Sequence, residues 1–416
     1  MRIGKTYAPA AAPIFLHDIL CGLIGLLKGD AAVTQFGNEI KRYFGVKHCY
    51  LISSGKAALT VILRAMHQIN PQRNEVIIPA YTCYSVPAAI KKAGLKVKLC
   101  DVDPNNLDFN YEQLSELFDK NQNKSPITNL SQSIQSQLLA ILPTHLFGCP
   151  ADINKQRKTI KDQSIFVVED AAQAMGLDFG DMKLGSIGDV GFFSLGRGKA
   201  ISTIEGGVII TDRDDLAEKI EHVIEGIERY SLNQIIKLFF YGMFITVFQH
   251  PFLFWLPKGL PFLKIGETIY ETDFPIRKMS AFQAGISRNW QKRLKQNMLV
   301  REQNVKDYIS KLGRISGIMI PFLSDKIKLP LIRLPIRVKD LSWRGRILKE
   351  SDSKGLGMMP SYPEAVCNIP EIQNEFDSSQ FSGAIKLSRE LVTLPTHFFI
   401  GKKERERVLS VLSKMI

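Results

Sequence analysis

Three short stretches hold residues whose types and spacing suit chemistry. In "FFSLGRGKAISTIEGGVIITD" (Phe192–Asp212), Lys199 lies five residues after Ser194 and six before Glu205-Gly206-Gly207, with apolar residues on both sides. In "VVEDAAQA", Asp170 ends an apolar run and Gln173 follows one turn later. In "SSGKAAL", Ser54, Gly55 and Lys56 open a helical pattern. A lysine drawn into apolar surroundings loses its proton readily and becomes a nucleophilic amine, which forms a Schiff base with a carbonyl partner. A strand-end carboxylate suits a pyridinium nitrogen, because it keeps that nitrogen protonated and lets the ring accept electrons. A serine hydroxyl and the free amides of a helix N-terminus suit a phosphate. Together these groups describe a site for pyridoxal 5'-phosphate. Each alone has a plainer reading, a solvated lysine or a helix-capping aspartate. Their order and spacing carry the specificity.

The elements that must position them read as alternating strands and helices from Val46 onward. "CYLISS" is a strand before the helix "GKAALTVILRAMHQI", and "EVIIPAY" is a strand before "SVPAAIKKAG", which stops at Gly94. "KVKLCDVD", "LLAILPTHLFG", "IFVVEDAAQA", "DVGFFSL" and "GGVIITD" each supply a further strand. Apolar runs of this kind, separated by helical patterns, predict an α/β fold with a mostly parallel sheet covered on both faces, and ligands at the carboxyl ends of its strands. Residues 1–270 are expected to form this large domain, with a helical arm over about 1–45 and an apolar insert at 231–262. Residues 271–416 are expected to form a smaller α/β domain. There "LPLIRLPIRV" is a strand, and "KKERERVLSVLSKMI" is an amphipathic helix with Val408, Leu409, Val411 and Leu412 on its apolar face.

The chain has 416 residues, 45% apolar and 23% charged, which is ordinary globular composition. Its net charge of +13 favours anionic partners. Basic residues are scattered rather than grouped with stacking aromatics on one element, so nucleic acid is set aside. The six cysteines form no CxxC pair or metal-binding cluster and read as free thiols of a reducing, cytoplasmic compartment. The N-terminus is basic and then apolar, but His17 and Asp18 interrupt it, so Ile14–Leu27 reads as an amphipathic helix rather than a secretion signal. Lys120–Gln137 is polar and reads as an exposed loop. Leu238–Pro257 is nearly all apolar and aromatic, between Lys237 and Lys258. Gln249, His250 and Pro251 break it, and a single span would divide one fold between two compartments. It reads as a buried helical pair or oligomer contact, or as a peripheral contact with a membrane surface.

The chain resembles a known family over "GDAAVTQFGNEIKRYFGVKHCYLISSGKAAL", "EVIIPAYTCYSVPAAIKKAGLKVKLCDVDPNNLDFN", "ILPTHLFGCPADI" and the block from "FVVEDAAQA" to "IEGGVIITDRDDLAEKI". Weaker traces are "RKMSAFQAGI", "SYP" and "LVTLPTH". The family is the DegT/DnrJ/EryC1/StrS aminotransferases, fold-type-I pyridoxal-phosphate enzymes that mostly act on nucleotide-linked keto sugars. The resemblance implies that Lys199 is the Schiff-base lysine, Asp170 the partner of the pyridine nitrogen, and Gln173 a neighbour of the ring hydroxyl. It makes Ser194 and Gly55, with Ser54 beside it, the phosphate ligands. His145 matches a strand-end histidine, either beside the cofactor or in a structural hydrogen bond. By direct count Cys83 occupies the place of the ring-stacking aromatic, and Tyr84 substitutes only if the turn differs.

Four departures stand out. Lys56 replaces a threonine of the phosphate turn and either pairs with phosphate or points to solvent. "IRKM" (Ile276–Met279) lacks an asparagine that a partner subunit often lends. The polar insert after Asp119 is long, and the apolar block replaces short polar sequence. The resemblance further implies a homodimer that moves an amino group from an amino acid, usually glutamate, to a keto sugar for surface polysaccharide or glycan synthesis. A lipid-linked acceptor at a membrane surface is the variant that the apolar block suggests. A non-catalytic scaffold is the rival outside enzymes, and related dehydratases lack the lysine that this chain has.

Overall fold

The computed structural model describes residues 3–118, 137–260, 268–322 and 330–413. Apart from its last residue, the polar stretch Lys120–Gln137 lies outside the described residues, as do the last two residues of the insert 231–262. Helices α1 (Leu16–Lys28) and α2 (Asp30–Phe44) lead into β1 (His48–Ile52) and α3 (Gly55–Ile69). Then come β2 (Glu75–Pro79), α4 (Ser85–Lys92), β3 (Lys96–Cys100), β4 (Leu138–Ile141) and β5 (Phe166–Asp170). A short ribbon, β6 (Asp178–Phe179) and β7 (Met182–Lys183), precedes β8 (Val190–Ser194) and β9 (Gly207–Thr211).

Seven of these strands form one sheet in the order β1-β9-β8-β5-β4-β2-β3. The run β8-β5-β4-β2-β3 is parallel, and β9 is antiparallel to both of its neighbours. The sheet is mostly parallel, as the apolar runs predict. β4 and β5 are buried along their whole length, as strands covered on both faces must be. Because β1 and β8 both run against β9, the carboxyl ends of β1, β8, β5, β4 and β2 share one edge.

α1 takes the place read as an amphipathic helix. It buries Ile19, Cys21, Gly22 and Gly25 against the helix Ala281–Ile286. The backbones meet so closely that a Cβ on Gly25 would stand 2.7 Å from the Gly285 Cα. The apolar block is a helix, Leu232–Phe248, then a turn and a short helix, Trp255–Lys258. The long helix turns Leu238, Gly242 and Ile245 inward, in a cluster with Ile19, Ile204 and Phe282. Its opposite side leaves Leu232, Ile236, Phe240 and Val247 exposed. Among the described residues no single helix is long and apolar enough to cross a membrane.

The C-terminal part carries a second, antiparallel sheet, β10 (Ile318–Met319), β11 (Arg333–Val338) and β12 (Leu391–Pro395), in that order. The helix Lys402–Ser413 buries Val408, Leu409, Val411 and Leu412. Polar contacts tie this part to the larger sheet. Arg337 pairs with Glu390 at 2.8 Å and donates to the Pro104 carbonyl and to Asn105. The Asp101 carboxylate accepts from the amides of Gly383 and Ala384, each at 2.8 Å. The helix Trp290–Leu312 spans both parts: Trp290 and Leu294 join the core near α2, while Val305, Tyr308 and Leu312 join the core shared with β11.

Candidate active site

Asp170 closes β5 and is only 5% exposed. Its Oδ1 accepts from the Ala172 amide at 3.0 Å. Burial holds the carboxyl above its usual range, against the opposing pull of that amide, Lys199 and His145. A carboxylate in this state gains from a close cation. Lys199 lies on the loop between β8 and β9. Burial pushes its ammonium down toward the neutral amine, Arg333 acts in the same direction, and Cys83 and Asp170 act against it. The Lys199 carbonyl accepts from Arg301 at 2.7 Å, and Asn297 donates to the Ala200 carbonyl at 3.1 Å. One long helix therefore sets where the lysine stands.

Ser194 ends β8, beside the start of α3. Ser54 caps α3, its Oγ accepting from the Ala57 amide at 3.2 Å. The amides of Gly55 and Lys56 come first in the helix and have no carbonyl one turn back. A Cβ at Gly55 would meet the Ser194 Cβ at 2.9 Å, so only glycine brings helix and serine together. The Lys56 side chain goes elsewhere: its Nζ pairs with Glu271 at 3.2 Å and lies 4.3 Å from the Phe274 ring centroid. Its position in the turn contributes an amide, while its charge is held by neighbours of the same chain.

Gln173 accepts from the Phe147 amide at 3.0 Å and donates to the Tyr362 hydroxyl at 2.9 Å, leaving one N–H free. His145 is fully buried; its Nδ1 accepts from the Ala151 amide at 3.0 Å and its Nε2 stands 2.9 Å from Glu169. Both ring nitrogens are thus engaged in the scaffold, which is the structural alternative. The Tyr84 hydroxyl accepts from the Glu364 amide at 3.0 Å, away from the lysine. Cys83 is the residue that faces Lys199 and Tyr362 electrostatically. Ile276–Met279 lies along β1: Arg277 and Ser53 exchange hydrogen bonds, and the Met279 amide donates to the Leu51 carbonyl.

Comparison with known proteins decides the family. The profile of the DegT/DnrJ/EryC1/StrS aminotransferase family matches residues 25–241 and 273–413. The chain belongs to the DegT/DnrJ/EryC1/StrS aminotransferase family. It is 24% identical over 387 residues to GDP-perosamine synthase of Caulobacter vibrioides, covering 92% of this chain and 90% of that one. It is 28% identical over 188 residues to GDP-4-keto-6-deoxy-D-mannose 3-dehydratase of Escherichia coli O55:H7, covering 44% of each. The chain spans only about half the length of several curated relatives that it matches. Among solved structures, Helicobacter pylori PseC, an aminotransferase involved in pseudoaminic acid biosynthesis, superposes with a TM-score of 0.76 at 17% identity, over 99% of each chain.

Within this member of the family, the residues present fit pyridoxal phosphate. The Gly55–Ser194 cradle offers a hydroxyl and two free helix amides to a phosphate. Asp170 offers a buried carboxylate to a ring N–H. Lys199 offers an amine pushed toward its neutral form. Sequence reasoning missed several residues around these groups. Tyr362, in the "SYP" trace, bonds Gln173, and its amide donates to the Tyr81 hydroxyl at 3.2 Å. Arg301 pins the lysine loop, and Arg333 enters from the small sheet. "SYP" was the single available hint for Tyr362. Nothing in local pattern distinguishes Arg301 or Arg333 from the chain's other arginines.

Proposed function

We propose that the protein is a pyridoxal-phosphate-dependent aminotransferase that moves an amino group from an amino acid, glutamate in the first instance, to a nucleotide-linked keto sugar. The product is an amino sugar for surface polysaccharide or glycan synthesis, and the donor leaves as its 2-oxo acid. The observation that carries this reading is that buried Lys199 and Asp170 are electrostatic neighbours at one sheet edge, beside the Gly55–Ser194 cradle. The match to relatives whose names include GDP-perosamine synthase and a spore coat polysaccharide biosynthesis protein supports the sugar acceptor.

When bound, the cofactor supplies an aldehyde for the amines and a ring that accepts electrons. Gly55, Lys56 and Ser194 hold its phosphate, and Asp170 holds the proton on the ring nitrogen. Lys199 Nζ, which burial shifts toward the neutral amine, takes the proton from the donor's Cα and returns it to the carbon on the far side of the amino nitrogen. In the second half-reaction the same amine moves a proton onto the carbon that was the sugar ketone. Gln173 and Tyr362 close the site on the small-sheet side.

The proposal places the enzyme in the cytoplasm as a homodimer, a second copy covering the exposed apolar positions of α1 and the helix Leu232–Phe248. The deciding experiment is an absorbance spectrum of the purified protein with pyridoxal phosphate, before and after borohydride, beside Lys199→Ala. A visible band that borohydride fixes to the protein, that the variant lacks and that glutamate bleaches supports the reading. No band at any cofactor concentration defeats it and leaves a scaffold protein. Light scattering that returns a monomer removes the dimer, and vesicle binding by the intact protein would reassign the apolar face to lipid.

A further inference from the structure

A pocket of about 550 Å³, open to solvent, lies against the loop that carries Lys199. Part of its wall is the apolar block: Phe244, Ile245 and Phe248 of the helix Leu232–Phe248, then Phe254 and Pro257. Tyr241, Phe244, Ile245 and Phe248 follow one another at i, i+3, i+4 and i+7, so they form one stripe of that helix. This stripe is not the one that leaves Leu232, Ile236, Phe240 and Val247 exposed. The Phe244 and Phe248 rings are 4.5 Å apart, centroid to centroid. The rest of the wall is built of small residues, Ala8, Ala10, Ala11 and Ala12 of the N-terminal segment and Gly198 of the lysine loop. Gly198 has a φ of +73°, and a Cβ there would meet the Ala10 Cβ at 3.1 Å, so loop and segment are in close contact. Phenyl rings on one side and methyl groups on the other leave an apolar space unfilled. Its lining forgoes dispersion contacts that a matching apolar group would restore.

The polar groups of the pocket narrow the choice of occupant. No aspartate or glutamate lines it. Gln249 accepts from the Ile14 amide at 3.1 Å and donates to the Ile14 carbonyl, and the Ser202 Oγ accepts from the Ile204 amide at 3.1 Å. Arg197 is different. It is exposed at the rim, its guanidinium 5.4 Å from the Tyr241 ring centroid, and among the described residues no carboxylate pairs with it. The ring edges of a nucleobase or the hydroxyls of a sugar would be buried here with few partners, at a cost. A chain that is apolar along its length and anionic at one end meets both the phenyl wall and the free cation.

We propose that this pocket binds the hydrocarbon chain of an anionic amphiphile, with its carboxylate or phosphate head on Arg197. The proposal goes beyond the aminotransferase reading and does not depend on it. Arg197 and Gly198 directly precede Lys199, so an occupant braces the loop that positions the lysine. The test is calorimetric titration of the whole protein with octyl, decyl and dodecyl phosphate, with decanoate and with decanol, each below its micelle concentration. It uses wild type, Arg197→Gln and Ala11→Leu, and each variant's unfolding midpoint is recorded. The expected result is one saturable site per chain, with affinity rising about two- to fourfold for each added methylene. Arg197→Gln should weaken decyl phosphate about tenfold and decanol less than about twofold. Ala11→Leu, which fills the pocket, should weaken both at least about tenfold. Tighter binding of decyl phosphate than of decanoate, or the reverse, supports the proposal and names the head group. No saturable binding by wild type, affinity independent of chain length, or full affinity in Ala11→Leu overturns it. Displacement of decyl phosphate by GDP or TDP also overturns it and gives the pocket to a nucleotide. If Ala11→Leu does not fold, the Arg197→Gln comparison decides, and equal effects on decyl phosphate and decanol there defeat the proposal.

Discussion

Asp170→Asn should make the cofactor-free protein more stable and shrink the stabilisation that the cofactor adds. The carboxyl is 5% exposed and burial raises its folded-state pKa. A carboxyl raised in this way stabilises the fold fully below its unfolded value of about 3.8, and that contribution is lost as pH rises through the folded pKa. As pH rises, the wild-type chain therefore takes on the penalty of a buried charge. Asparagine has the same shape and keeps an oxygen for the Ala172 amide, which sits at 3.0 Å. Removing a poorly compensated buried charge is worth on the order of 1–3 kcal/mol. Unfolding entropy of about 2 cal/mol/K per residue, over 416 residues, makes this a rise of about 1–3 °C in the midpoint. With cofactor the added stabilisation should shrink, because asparagine cannot hold a proton on the ring nitrogen. Loss of a charge-assisted bond there weakens cofactor binding by about 10- to 100-fold. A ligand at 100 times its Kd stabilises by about 2.7 kcal/mol, so about half or more of that gain should vanish in the variant at the same concentration. Differential scanning calorimetry at pH 8 and pH 4.5, with and without pyridoxal phosphate, reads both halves. A cofactor-free variant less stable than wild type at pH 8, or an equal cofactor gain in both proteins, would refute the reasoning.

Gly55→Ala places a Cβ 2.9 Å from the Ser194 Cβ, and cofactor affinity measured by absorbance titration should fall at least about tenfold; full affinity would dismiss the cradle. Lys56→Ala should change that affinity less than about threefold, since Glu271 and Phe274 already hold the ammonium, and a larger loss would bring Lys56 to the phosphate. Arg337→Met strands Glu390 in the interface between the two sheets and should lower stability by about 3–5 kcal/mol in urea titration. A loss below about 1 kcal/mol would mean that the pair contributes little.

The parts of the site that sit at strand ends were legible because pattern and place coincide. An unbroken apolar run ending in Asp170, or in Ser194, states the strand, its direction and the edge where the polar residue emerges. Ser54 and Gly55 announce a helix start by residue type alone. The apolar positions of the terminal helix follow from its period.

The sequence by itself thus determined the mostly parallel sheet and the edge on which the candidate lysine, aspartate and serine stand. It did so because these depend on the chain's local period and on the order of its elements. Only the tertiary structure decided what turns on a rotation or a distant partner. In the turn after β2, adjacent residues differ: Cys83 is an electrostatic neighbour of Lys199, while the Tyr84 hydroxyl accepts from the Glu364 amide across 280 positions. Lys56 was a phosphate candidate until Glu271 met it from 215 residues away. Arg301, Arg333 and Tyr362 reach the site from elements that follow it by a hundred residues or more. Such contacts leave no local periodic signature, because they arise only when packing brings separate elements together.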